Sequence, residues 1–472
     1  MNKKLLPLFI ACSLCFQCTK AQYVTIPDPN FVNWIAGSNV HQCLNGLGQL
    51  DTTCQGLLQD TVLICSGNQI GNLIGIQYFK NLKYLDCSFN LLDSLTQLPG
   101  NLQILICNQN SIRTFVSLPD QLEFLYCEDN KLVTINSLPP RLVGLHCADN
   151  LLDSLPSLPG VLDTLDCPLN FLISLPAFPN TLRALICYQN SLNILPNATS
   201  LKYLDCTSNQ ISVLPGYYDS LNYIRCSHNQ ISRLPLFSNS LIYLDCSYNN
   251  IDSIISLPNG LIDIICGFNQ LKSLSSRLPD SLQSIACYNN LLTILPPLPK
   301  KVTSLVVQGN LLAELPELPD SMYSLDCYNN PYLRCLPKLT TINFLNFDST
   351  AIICLPNYGN VTTSTPPLNS LPLCDSTNNS GCPYYTSIPD IKNLAFSISP
   401  NPTSNEALLT LDESVTEFSI TVFDITGRKV ITEKNHIGAC TLSVNQLPAG
   451  LYFVQLSDNR GGVGVKKLIV EH

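Results

Sequence analysis

The sequence predicts a solenoid built on a parallel β-sheet, with few helices, followed by a small all-β sandwich. Three observations carry this. A phrase of about twenty residues, clearest in Leu201 to Pro215 (LKYLDCTSNQISVLP), returns in fifteen turns from Leu63 to Phe347. Most turns close on a proline-bearing run such as Leu295-Pro296-Pro297-Leu298-Pro299, which leaves no room for a helix of three turns. From about Leu394 the apolar period switches to strand alternation, as in Phe418 to Phe423 and Leu451 to Leu456.

Composition narrows the function before any motif is read. Only 12% of the 472 residues are charged, and the formal net charge is -9. Phosphate recognition is driven by clustered Lys and Arg. No such cluster is present, so a nucleic-acid partner is not expected. Residues 1–21 read as a signal peptide: Lys3 and Lys4, the apolar run Leu5 to Phe16, then Thr19-Lys20-Ala21 with cleavage expected after Ala21. That run is shorter than the roughly 20 residues a membrane span needs, and no later stretch offers one.

Residues 22–60 depart from the repeat and carry the only tryptophan, Trp34. A solenoid needs its first turn covered, so this segment is expected to cap it. Asp28-Pro29 should open a short helix that lays Phe31, Trp34 and Ile35 on the first strand. Cys43 and Cys54, close together in an exported segment, are expected to form a disulfide.

Residues 61–356 repeat the template L-x-x-L-x-C-x-x-N-x-L-x-x-L-P. The phrase resembles the leucine-rich repeat, and its short L-P-x-L-P variety looks like the bacterial type. The resemblance implies a parallel-sheet horseshoe and a binding role. Around each L-x-x-L-x-C a short strand is expected, with Leu, Ile and Cys inward. Asn stands three residues past the Cys position fourteen times, from Asn68 to Asn330, and is expected to satisfy backbone groups where the chain turns inward. The thirteen in-register cysteines run from Cys65 to Cys327, with Val307 and Phe347 in the same column. A column that accepts Val or Phe wants apolar volume, so these thiols are expected to be buried and inert, with no metal bound.

The unrepeated letters are the candidate site. Three residues before the Cys position, Tyr203, Tyr223 and Tyr243 fall on successive strands and should stack as a ridge on the concave face. Just before the Cys position stand Asp205, Arg225 and Asp245, and Tyr188, His228, Tyr248 and Phe268 flank the strands. Aromatic anchors among polar groups have the composition of protein-interface hot spots. Tyrosine ridges also suit sugar faces, so a glycan-binding module for adhesion or nutrient capture is the alternative. On the bland view Tyr merely pairs well on any parallel ladder while the two Asp and Arg225 neutralise one another. The five His are scattered, with no metalloprotease motif and no nucleophile elbow. Neither catalysis nor a cofactor is expected; an unrecognised hydrolase is the remoter alternative. The chain is expected to be a monomer.

Residues 357–391, rich in Thr, Ser, Asn and Pro, are read as a carboxyl-terminal cap and linker. By proximity, Cys335 is expected to pair with Cys354, and Cys374 with Cys382. In residues 392–472 the order of motifs is specific. Ser399-Pro400-Asn401-Pro402 comes first, then Val422-Phe423-Asp424 with Gly427-Arg428, then Leu447-Pro448-Ala449-Gly450-Leu451-Tyr452-Phe453-Val454, and finally Lys466-Lys467-Leu468-Ile469-Val470. This tail resembles a type IX secretion sorting domain. The resemblance implies passage through the periplasm, export by the type IX machinery, and release or attachment at the outer-membrane surface.

Overall fold

A computed structural model of the chain describes residues 22–95, 97–216, 219–374, 394, 396–411, 417–425, 427–458 and 463–471. The expected signal peptide lies outside them, as does Cys382. The chain divides into two compact units, Met1–Lys131 and Leu132–His472.

In the first unit Tyr23–Thr25 pairs antiparallel with Gln49–Asp51, and the helix Pro29–Gly37 follows the N-cap Asp28. One carboxylate oxygen of Asp28 accepts the N–H groups of Asn30 and Phe31, both at 2.9 Å. The other accepts those of Gly71 and Asn72 at 2.7 and 3.0 Å. A single side chain thus caps the helix and fastens it to the first repeat. Phe31 and Ile35 are buried as their spacing predicts, whereas Trp34 stays half-exposed. Cys43 and Cys54 are joined by a disulfide. Parallel strands then follow in register at Val62–Ile64, Tyr84–Asp86, Ile104–Ile106 and Phe124–Tyr126.

The second unit repeats the plan from Gly144–His146 to Ser324–Asp326, with strands of three residues. Longer rungs at Thr341–Asn346 and Asn360–Thr365 continue the parallel ladder. The last of these falls in the segment expected to be cap and linker.

One turn explains all of them. The middle residue of each strand is a buried aliphatic, and the Cys after it is buried too. Cys226 donates its N–H to the carbonyl of Asp245 on the next turn at 2.8 Å, which extends the ladder beyond the strand. The ladder asparagine then folds inward. Asn249 Nδ2 donates to the carbonyls of Cys226, Cys246 and Ser247 at 2.9, 3.1 and 3.0 Å, and its Oδ1 accepts Ile231 N–H at 2.9 Å. Four backbone groups that a sharp, buried bend would orphan are satisfied by one amide. Thr350, standing where the last turn lacks Asn, donates its hydroxyl to Phe347 O at 2.7 Å. On the return side, prolines close a tight turn: Leu261 and Leu282 donate their N–H groups to Pro258 and Pro279 at 3.1 Å.

The bend is made two residues past the Cys position, where the backbone is left-handed. Gly67 and Gly309 stand there with φ 70° and 65°, but so do Phe89, Leu169, His228, Tyr248 and Phe268, with φ between 50° and 54°. Non-glycine residues adopt this conformation at a cost of roughly 1–2 kcal/mol. The asparagine bonds and the burial of each turn offset it.

At the end of the repeats one pairing was not expected: Cys374 is bonded to Cys354, twenty residues earlier. One turn of the solenoid brings the two Cα atoms to 5.0 Å, a separation that suits a disulfide. Cys335 is disulfide-bonded as well, and Cys382, the expected partner of Cys374, lies outside the described residues.

The tail folds into two antiparallel sheets. One has three strands, Phe396–Ser399, Glu406–Leu411 and Cys440–Ser443, and the other has four, Lys429–His436, Phe418–Asp424, Gly450–Asp458 and Val463–Val470. Ala407, Leu409 and Leu442 from the first pack in one core with Ile420, Val454, Val422 and Leu468 from the second. The motifs have structural work. Asn401 Nδ2 donates to Lys467 O, and its Oδ1 accepts Ile469 N–H, each at 2.8 Å. Tyr452 donates its hydroxyl to Pro448 O at 2.8 Å. Gly427 turns with φ 79° so that Arg428 Nε reaches Asp424 at 2.9 Å.

Candidate functional site

The open face of the parallel sheet in the second unit carries the candidate residues. Register places Tyr203, Tyr223 and Tyr243 side by side on adjacent strands, and Asp205, Arg225 and Asp245 two residues on. With side chains alternating across the sheet, both rows share the solvent face.

The three tyrosines form a continuous stack. Ring centroids of Tyr203 and Tyr223 are 5.0 Å apart with planes 8° from parallel, and those of Tyr223 and Tyr243 are 4.2 Å apart at 4°. The guanidinium of Arg225 lies 5.3 Å from the Tyr223 centroid and 5.8 Å from that of Tyr243, within cation–π range. Partial burial, then Tyr223 and Asp245 nearby, pushes the Tyr243 phenol up to about 12, so it remains a hydrogen-bond donor.

The acidic members sit differently. Asp205 is only 7% exposed, and its carboxylate accepts Thr207 N–H at 3.1 Å. Asp245 accepts Ser247 N–H at 3.0 Å and its hydroxyl at 2.6 Å. Asp86 does the same with Ser88. In the recurring D-C-S/T triplet the carboxylate therefore holds the strand exit. Arg225 approaches Asp205 at 3.9 Å, the outer limit of an ion pair.

A second aromatic row runs past the strand ends. His228 stacks on Tyr248 at 4.0 Å, Tyr248 on Phe268 at 4.2 Å, and Phe268 meets Tyr288 edge-on at 5.5 Å. Tyr248 and Phe268 are 39% and 41% exposed. Tyr288 was not foreseen from the sequence; it stands one residue past its Cys while the others stand two past theirs. Gly267 makes room for it, since a Cβ there would run into the Tyr288 ring. Tyr188, expected beside this row, lies half-buried one residue past Cys187.

The thiols of the Cys column are shut away. Burial raises Cys65 to about 12 and Cys226 and Cys246 well above the usual thiol range. Cys87 and Cys226 Sγ donate to main-chain carbonyls of the next turn at 3.4 Å.

Comparison with known proteins bears on both parts. The family described as secretion system C-terminal sorting domain matches residues 397–471. Among solved structures, YopM from Yersinia enterocolitica WA-314 superposes with a TM-score of 0.50 and 32% identity over 58% of this chain. That match spans 64% of its length, short of two thirds. YopM from Yersinia pestis, described as a leucine-rich effector protein, gives a TM-score of 0.51 and 26% identity over 65% of this chain and 89% of its own. The functional domain of InlJ from Listeria monocytogenes, described as including a cysteine ladder, gives 0.46 and 19% identity over 90% and 93%. No curated protein matches the sequence. This chain is a leucine-rich-repeat protein that carries a C-terminal type IX secretion sorting domain.

Proposed function

We propose that this protein is an exported recognition module that binds a protein partner on the open, concave face of its repeat sheet, without catalysis and as a monomer. The observation that carries the reading is the self-stacking of the tyrosines. Sugars bind aromatic side chains by lying on the ring face. Both faces of Tyr223 are covered by Tyr203 and Tyr243, so the ridge offers edges, hydroxyls and the Arg225 guanidinium. Such groups suit the polar and aromatic side chains of a protein surface. Asp205 and Asp245 support the ridge by holding the strand exits, while Tyr188, His228 and Tyr248 extend it.

The sorting tail directs export. Passage through the periplasm and display at the outer-membrane surface, with adhesion as the consequence, complete the proposal. A quantitative binding assay against the purified partner tests it: Tyr223→Ala and Arg225→Ala should each weaken binding by tenfold or more, as hot-spot truncations of about 2 kcal/mol do. Glycan-array binding by the wild-type chain that is lost on Tyr223→Ala would transfer the face to a carbohydrate.

A further inference from the structure

Beside the ridge, the sheet face changes character. From Ser284–Ala286 to Ser324–Asp326 the half-buried floor is built mostly of small side chains: Ser284, Ala286, Ser304, Val306 and Ser324. The Tyr203–Tyr243 stack ends on one side of it, and the exposed Tyr323 and Phe344 rise on the other. We infer that this trough takes an extended, basic segment of the partner protein, with one Lys or Arg seated at Asp263 and a second at Asp326. The inference rests on the reading of the sheet face as a protein-binding surface.

Charge complementarity selects the occupant. At the sheet-face positions of these turns, from Ile262 to Ser349, the ionisable acids and bases are Asp263, Asp326 and Asp348, with no Lys, Arg or His. Partial burial raises the carboxyls of Asp263 and Asp326, and among the described residues no cation opposes that effect at either. Both residues are half-buried and face outward from the strand, so a cation can still reach them. Carboxylates with no positive charge beside them on this face call for a partner that brings it. Asp263 has a further asset: it is in register with Tyr243, the last ring of the stack, whose outer face has no ring stacked on it among the described residues. A cation over that face would gain a cation–π contact as well as the carboxylate.

Geometry sets the spacing. Asp263 and Asp326 are three strands apart and offset by two residues along the strand. At about 4.8 Å per strand and 3.3 Å per residue, that is roughly 15 Å, the reach of four to five residues of extended chain.

The test uses the full chain and a fluorescent peptide rich in Ser, Thr and Val that carries two lysines four residues apart. Binding is followed by anisotropy. The expected result is saturable binding that weakens with added salt, is lost when both lysines become glutamates, and falls about fivefold or more in each of Asp263→Asn and Asp326→Asn. These changes are close to isosteric, and an unchanged circular dichroism spectrum confirms the fold. Absence of binding, equal binding of the glutamate peptide, or indifference to both substitutions would overturn the inference. Tyr223→Ala measured against the protein partner keeps the two claims apart. If it abolishes partner binding while the lysine peptide ignores Asp263→Asn and Asp326→Asn, the ridge stands and the basic trough fails.

Discussion

At the scale of single residues, the repeat separates side chains by what each can satisfy. Asn249 serves four backbone groups at a buried bend. Asn249→Ala strands them, and the expected loss is about 2–4 kcal/mol, read from chemical denaturation. Cys226, fully buried, makes one weak Sγ contact at 3.4 Å. Cys226→Val should therefore cost under about 1.5 kcal/mol, as Val307 already fills the same column. Equal losses for the two would show that the asparagine bonds are not the source of the turn's stability. The ladder was legible in the sequence because both letters recur at a fixed period. The bend beside it was not: the left-handed position takes Phe, Leu, His, Ser and Asp as well as Gly, and only Gly67 and Gly309 announce it.

At the scale of elements, the cap hangs on Asp28. Its two oxygens join helix and repeat, and Asp28→Ala removes four acceptor contacts at once. A loss of about 1–3 kcal/mol in local stability is expected, seen as faster proteolysis and amide exchange in residues 29–37. Unchanged exchange would mean that burial of Phe31 and Ile35 alone seats the helix. The sequence announced the N-cap through Asp28-Pro29, but the bond to Gly71 and Asn72 crosses more than forty residues and had no local signal. Other differences between expectation and structure share that cause. Periodicity placed Tyr203, Tyr223 and Tyr243 on one ridge, yet it could not show that both faces of Tyr223 would be covered by its neighbours. It placed Asp205 on the same face, where the following Thr207 draws its carboxylate inward. Tyr288 joins the second row from an adjacent column only because Gly267 is bare. The Cys354–Cys374 bond follows the twenty-residue turn, a separation that proximity in sequence did not suggest.

At the scale of the whole molecule, the stacked thiols predict behaviour in alkali. Ten of them are raised: nine chiefly by burial, among them Cys87, Cys167 and Cys187, and Cys266 by its neighbour Cys287 and then by burial. An unfolded thiol ionises near 8.5. Below that pH both states hold the proton, and the full stability is present. Above it the unfolded chain releases protons that the folded chain keeps, so stability falls until the folded thiols themselves ionise, at about 12 for Cys65. Each thiol contributes a slope of about 1.4 kcal/mol per pH unit, and ten together on the order of ten kcal/mol per unit. Circular dichroism against pH should show a sharp, cooperative loss of structure between roughly pH 9 and 10.5. A fold that persists to pH 11.5 would contradict the burial of the column. Export is tested separately: without residues 392–472 the product should remain in the periplasm, and unchanged delivery to the surface would refute the role of the tail.

The central claim is that recognition happens on the open face of the repeat sheet, at the ridge. It is tested most directly by site-specific photo-crosslinking in the full chain, with a benzophenone side chain at Tyr223 and, as the control, at Lys301, an exposed turn residue away from the sheet-face positions. The account predicts a covalent adduct with the protein partner from position 223 and none from position 301. An adduct from position 301 with none from position 223 would contradict it.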